Sequence, residues 1–119
     1  MKSVFLAIVC FLFSCTEQKT PKILVLEPTA FEQKIAEENV QLVDVRTESE
    51  WNEGIIEGAL LIDFLQDDFA TKVEELDKSK PIAVYCRSGG RSGKASKLLK
   101  DLGFNEIYDL KGGYLNWNK

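Results

Sequence analysis

Histidine is absent from all 119 residues. That removes the commonest general base and the commonest catalytic metal ligand, so any enzymatic chemistry has to run without imidazole. Neither a metal nor a cofactor is expected. A basic block is also missing: 15 Lys and Arg face 19 Asp and Glu, for a net charge of -4. Nucleic-acid binding wants clustered cations, so no nucleic-acid partner is expected. A small anionic substrate would need positive charge supplied locally, because the overall field opposes it. No apolar run is long enough to span a bilayer. The longest, Val4 to Phe13, is 10 residues where a spanning helix needs ~20. What remains is enough chain for one domain, with an apolar fraction of 45% that can supply a core.

The first residues read as an address. Lys2 and the run from Val4 to Phe13 have the make-up of a secretory signal, a positive start followed by a short apolar core. Leu12-Phe13-Ser14-Cys15 resembles the bacterial lipobox, in which a small residue precedes the cysteine that is lipidated and becomes the mature N-terminus. The resemblance implies a signal peptide over 1–14, a lipid on Cys15, a polar tether over 15–22 and a folded domain over 23–119. It implies export to the bacterial cell envelope and anchoring to a membrane, on its periplasmic side. Cys10 would then be removed and Cys15 blocked. Cys86 would be the one thiol left, with no partner for an internal disulfide.

Beyond the tether, the pattern alternates between strands and helices. Short apolar runs at Ile23–Leu26, Gln41–Val45, Ala59–Ile62, Pro81–Tyr85 and Glu106–Leu110 predict strands. Helical periodicity predicts helices over Pro28–Asn39 (Phe31, Ile35 and Ala36 on one face), Phe64–Leu76 (Phe69, Val73, Leu76) and Ser92–Leu102 (Ala95, Leu98, Leu99, Leu102). Gly103 is placed to terminate the last of these. Thr47 and Glu50 have capping-box spacing for a short helix ending near Gly54. Gly112-Gly113 turns the chain into a final short helical piece containing Trp117. Strand–helix alternation of this kind predicts an α/β fold, a parallel sheet covered on both faces.

The chemistry concentrates in Cys86-Arg87-Ser88-Gly89-Gly90-Arg91-Ser92, between an apolar strand and an amphipathic helix. Ligands in open α/β sheets bind at the carboxyl ends of strands, and Cys86 stands at such an end. Gly89 and Gly90 can adopt conformations closed to other residues, so successive N–H groups can turn inward as an anion-binding nest. The helix N-terminus behind them adds free donors and partial positive charge. A thiol there loses its proton readily without a base, and the same cradle can hold the outer sulfur of a persulfide. The plainer alternative for Cys86 is a buried core cysteine. For Arg87 and Arg91 it is solvation, or pairing with a surface carboxylate.

Several ordered segments together resemble the rhodanese family over residues 40–117. They are Leu42-Val43-Asp44-Val45-Arg46 with Glu50 and Trp51; Gly54-Ile55-Ile56-Glu57-Gly58-Ala59; the Cys86–Ser92 loop; and Leu98, Gly103, Phe104, Gly112, Gly113 and Trp117. The resemblance implies a single domain with a five-stranded parallel sheet and helices on both faces. It implies a sulfurtransferase that carries sulfane sulfur on Cys86, from a small anionic donor such as thiosulfate to a thiol or cyanide-like acceptor. Backbone N–H groups of Arg87, Ser88, Gly89, Gly90 and Arg91 would form the cradle, Ser92 would complete the substrate loop, and Asp44 and Arg46 would be structural supports. Ile55 departs from the family's usual histidine, and altered packing is expected there.

Two other functions share the loop. A cysteine phosphatase spaces its cysteine and arginine by five residues, to ring a phosphate. Here four separate Cys86 from Arg91, and Ser92 stands where the phosphatase arginine would be. A persulfide carrier or binding module would use the same Cys86 without turnover.

Overall fold

The computed structural model describes residues 20–117. Its elements run β1 (Lys22–Leu26), α1 (Pro28–Ile35), β2 (Gln41–Asp44), α2 (Glu48–Trp51), β3 (Leu60–Leu61), α3 (Phe69–Val73), β4 (Ile82–Tyr85), α4 (Gly90–Asp101) and β5 (Glu106–Leu110), then a 3-10 turn, Tyr114–Asn116. All strand pairings are parallel, in the order β1-β5-β4-β2-β3. The α/β fold with a five-stranded parallel sheet is as expected.

Strand β4 lies at the centre and is buried throughout, because period-2 alternation sends apolar side chains to both faces. Ile82 and Val84 join Val43, Val45, Phe69, Val73, Ala95, Leu99, Phe104 and Ile107 under α3 and α4. Ala83 and Tyr85 join Phe31, Leu42, Ile56, Tyr108 and Leu110 under α1 and the final turn. Two cores therefore grip one strand, and the residue after it, Cys86, inherits a fixed position.

The helices are shorter than periodicity predicts. The first stops at Ile35, short of Asn39, and tightens into i→i−3 bonds from Glu37 N–H to Lys34 O and from Val40 N–H to Glu37 O, both 3.2 Å. The helix expected from Phe64 starts only at Phe69. Asp63 Oδ1 takes the Leu65 N–H at 2.8 Å, and this local side-chain turn competes with helix formation. α4 starts two residues earlier than expected, at Gly90. Lys22, placed in the tether by sequence, is already in β1, paired with Glu106. The signal segment 1–14 and Cys15 lie outside the described residues.

Candidate active site

Cys86 follows β4 directly, and its loop feeds α4. Gly89, with φ of +115°, makes the reversal that turns its own N–H onto the sulfur, 3.0 Å from Sγ. Ser92, in the first turn of α4, brings its hydroxyl to 3.4 Å from Sγ. Burial by itself would push the thiol pKa up. The Ser92 hydroxyl and the backbone N–H groups of Ser92, Gly89 and Ser88 outweigh it and hold the pKa below the ordinary cysteine value. Cys86 is thus buried, 1% exposed, yet it is not an inert core cysteine. Of the amides expected to line the cradle, Ser88 and Gly89 act on the sulfur, joined by that of Ser92.

Inward N–H groups require outward carbonyls, and outward carbonyls need donors of their own. The final turn supplies them. Tyr114 N–H donates to Cys86 O at 2.8 Å, and Leu115 N–H donates to Arg87 O at 3.1 Å. Gly113 lies against the same carbonyls with φ of +63° and ψ of -160°. A Cβ there would sit 2.6 Å from Cys86 O and in collision with Arg87's carbonyl group. Sequence analysis read Gly112-Gly113 as a turn only. The doublet was the signal, but its target, 26 residues upstream, was not visible.

The two arginines part company. Arg91 is held by Glu50 through a bidentate pair, Nη1–Oε1 at 2.8 Å and Nη2–Oε2 at 2.9 Å. This is the carboxylate pairing that stood as its alternative, so its guanidinium is not free to face a substrate. Hydrogen bonding from Arg91 holds the Glu50 carboxyl below its usual range, against opposing burial and with help from Thr47. It also explains the capping box that does not form: Thr47 bonds the Glu50 carboxylate at 3.1 Å instead of the helix backbone. The Glu50 hydrogen bond raises the Arg91 pKa against burial, and a Cys86 anion adds to it in a lesser degree. Arg87 is exposed and makes no ion pair among the described residues.

Asp44 and Arg46 form a buried pair at the end of β2. Arg46 Nη2 is 2.7 Å from Asp44 Oδ2 and also donates to Gly54 O at 2.7 Å. The guanidinium lies over the Tyr114 ring, 4.2 Å from its centre. The pair thereby ties the sheet end to the turn that secures the Cys86 loop. Ile55 lies exposed beside a groove of about 420 Å³ lined by Ile35, Ile56, Tyr114 and Trp117. Its segment is fastened one residue later, by Ile56 N–H to Tyr85 Oη at 3.0 Å. A histidine at 55 is not needed for that anchor.

The fold and site define an α/β protein whose cysteine stands in an amide-lined loop between a central strand and a helix N-terminus. The rhodanese-like domain family matches residues 27–119, and the chain belongs to it. A sulfurtransferase of Allochromatium vinosum is 32% identical over 93 residues, covering 77% of this chain and 85% of that one. A tRNA uridine(34) hydroxylase of Acinetobacter baylyi is 35% identical over 96 residues, 77% of this chain. The chain spans only 31% of that hydroxylase's length. Among solved structures, a Staphylococcus aureus rhodanese-like domain protein superposes with a TM-score of 0.71 at 27% identity, covering 81% of this chain and 92% of that one.

Proposed function

We propose that the chain is a sulfurtransferase that moves sulfane sulfur from a small anionic donor, thiosulfate or a close analogue, to a thiol or cyanide-like acceptor through a persulfide on Cys86. The observation that carries this reading is the Cys86 sulfur, with amide N–H groups and a hydroxyl directed at it and its pKa held down in spite of burial. The thiolate attacks the outer sulfur of thiosulfate, the sulfur–sulfur bond of the donor breaks, and sulfite leaves with the bonding pair. The same donors that favour the thiolate then favour the terminal sulfur anion of the persulfide. In the second half, an acceptor attacks that terminal sulfur and the Cys86 thiolate departs. Every leaving group is an anion, so neither half needs a histidine acid or base.

Arg87, exposed beside the loop, is the cation available to meet the donor. Thiocyanate formation from thiosulfate and cyanide tests the reading, with Cys86→Ser as control, and the intact mass of the loaded protein should rise by one sulfur atom. Equal turnover by Cys86→Ser would end it. The proposal extends to location: an exported protein anchored by lipid on Cys15. Incorporation of labelled palmitate, lost in Cys15→Ser, is the expected result, and label retained in that variant would refute the anchor.

A further inference from the structure

Ile55, where the family usually has histidine, takes no part in the chemistry above. It belongs to neither core cluster and is 40% exposed, while its neighbour Ile56 is buried and bonded to Tyr85 Oη. The backbone anchor at 56 secures the segment, so the fold itself does not call for an apolar side chain at 55. A solitary exposed isoleucine would need no explanation, but this one is not solitary. It borders the groove of about 420 Å³, which three separate segments line. α1 contributes Glu32 and Ile35, the segment after α2 contributes Ile55 and Glu57, and the final turn contributes Tyr114 and Trp117.

Two of the apolar walls are fixed from behind. Trp117 packs edge-on to the buried Phe31 ring, with centres 6.0 Å apart, and Tyr114 stacks with Tyr85 at 6.1 Å. Walls already held in place lose little freedom when something binds, and that favours affinity. The charge of the groove has one sign. Its lining has two exposed carboxylates, Glu32 and Glu57, and no Lys or Arg. Lys34, next to Ile35 in sequence, is turned to Glu37 and to the Tyr108 ring. The groove beside β3 differs, because Lys72 and Glu75 bring both signs to it. A second copy of this chain suits the acidic groove poorly, since it would bring a net charge of -4 of its own. Apolar side chains with cations beside them complement it. The location is also informative. Tyr114 N–H holds Cys86 O and Ile56 N–H is held by Tyr85, and both Tyr114 and Ile56 line the groove. An occupant therefore lies beside the strand end that carries the nucleophile.

We propose that this groove docks a segment of a partner polypeptide that sets apolar side chains into it and places lysine or arginine against Glu32 and Glu57. An amphipathic helix, with anchors every third or fourth residue, is a form such a segment can take. Contact with Ile35, Ile55 and Trp117 supplies affinity. The two carboxylates orient the segment and reject acidic partners. Docking does not depend on the sulfur chemistry proposed above, although it brings the partner next to the Cys86 loop.

The test is titration calorimetry of the whole protein with a short amidated peptide that has leucines at helical spacing and lysines between them. The same peptide with glutamate for lysine, and another with serine for leucine, should each bind at least about tenfold more weakly. Ile55→Ser should weaken the leucine–lysine peptide roughly fivefold, since part of an isoleucine's burial is lost. Glu32→Lys combined with Glu57→Lys should weaken it roughly tenfold and restore binding of the glutamate peptide. The substituted side chains are exposed, so both variants should keep the fold. Absence of binding, equal binding of the glutamate peptide, or wild-type affinity in either variant overturns the proposal. Self-association in the ultracentrifuge that disappears in Ile55→Ser would give the groove to a second copy and overturn it as well. Calorimetry needs no sulfur donor, which keeps the two readings separable. Peptide binding without thiocyanate formation would sink the transferase and leave the docking groove, and turnover without peptide binding would do the reverse.

Discussion

Replacing Gly113 with alanine would drive a methyl group into the backbone that holds the nucleophile. The position has φ of +63° and ψ of -160°, close to a region that is essentially glycine's alone. Occupying it with an L side chain costs on the order of 1–3 kcal/mol. The new Cβ would start 2.6 Å from Cys86 O, and real Cβ contacts essentially never fall below 3.0 Å, so that carbonyl must retreat by at least 0.4 Å. It cannot retreat by changing rotamer, because it is main chain. Its 2.8 Å bond from Tyr114 and the 3.1 Å bond from Leu115 to Arg87 O would stretch or break, at about 1 kcal/mol each. The expected loss is about 3 kcal/mol, a large share of the 5–15 kcal/mol that typically separates folded from unfolded. A domain of this size should melt roughly 10–20 °C lower. With its carbonyls loosened, the loop should aim its N–H groups less well, and the Cys86 pKa should rise toward the ordinary thiol value. Calorimetry and the pH dependence of Cys86 alkylation measure the two effects. Gly112→Ala is the control: φ there is +74°, but the nearest atoms its Cβ would meet, from 2.9 Å, belong to the exposed side chain of Asn116 and not to the main chain of the loop. It should lower the melting temperature less and leave the thiol unchanged. Equal melting losses in the two variants, or an unmoved Cys86 profile in Gly113→Ala, would refute the idea that the final turn braces the loop.

Glu50→Gln should cost on the order of 1–2 kcal/mol at neutral pH, since it breaks a half-buried bidentate pair. Because the folded state lowers the Glu50 pKa, its stabilisation is complete above the unfolded value of about 4.5 and fades as pH falls through the folded one. Urea titrations of the two proteins should therefore differ at pH 7 and converge in acid, and a constant gap would contradict the assignment. The same variant releases Arg91 toward the loop, so the KM for thiosulfate should fall if a free guanidinium helps to bind the donor. Arg87→Ala should raise that KM roughly fivefold, about 1 kcal/mol, a value discounted for the exposure of the side chain. An unchanged KM would show that the residue faces bulk solvent in the complex.

Local chemistry was legible in the chain before folding. Continuous apolar runs such as Ile82–Tyr85, buried on both faces, announce a strand of a covered parallel sheet. A cysteine followed by a glycine pair and a helical stripe announces an amide nest at a strand end, because glycine conformation and helix N-termini are properties of neighbouring residues. Element ends were less legible: Asp63 captures the Leu65 N–H and delays α3 by a bond that periodicity does not encode. What no local pattern could show is pairing across distance. Glu50 reaches Arg91 across 41 residues, and Gly113 reaches the Cys86 carbonyl. Sequence spacing sets what one turn or one strand can present. Which charge meets which, and which carbonyl finds a donor, depends on strand order and register, and these arise only when both cores close on the sheet.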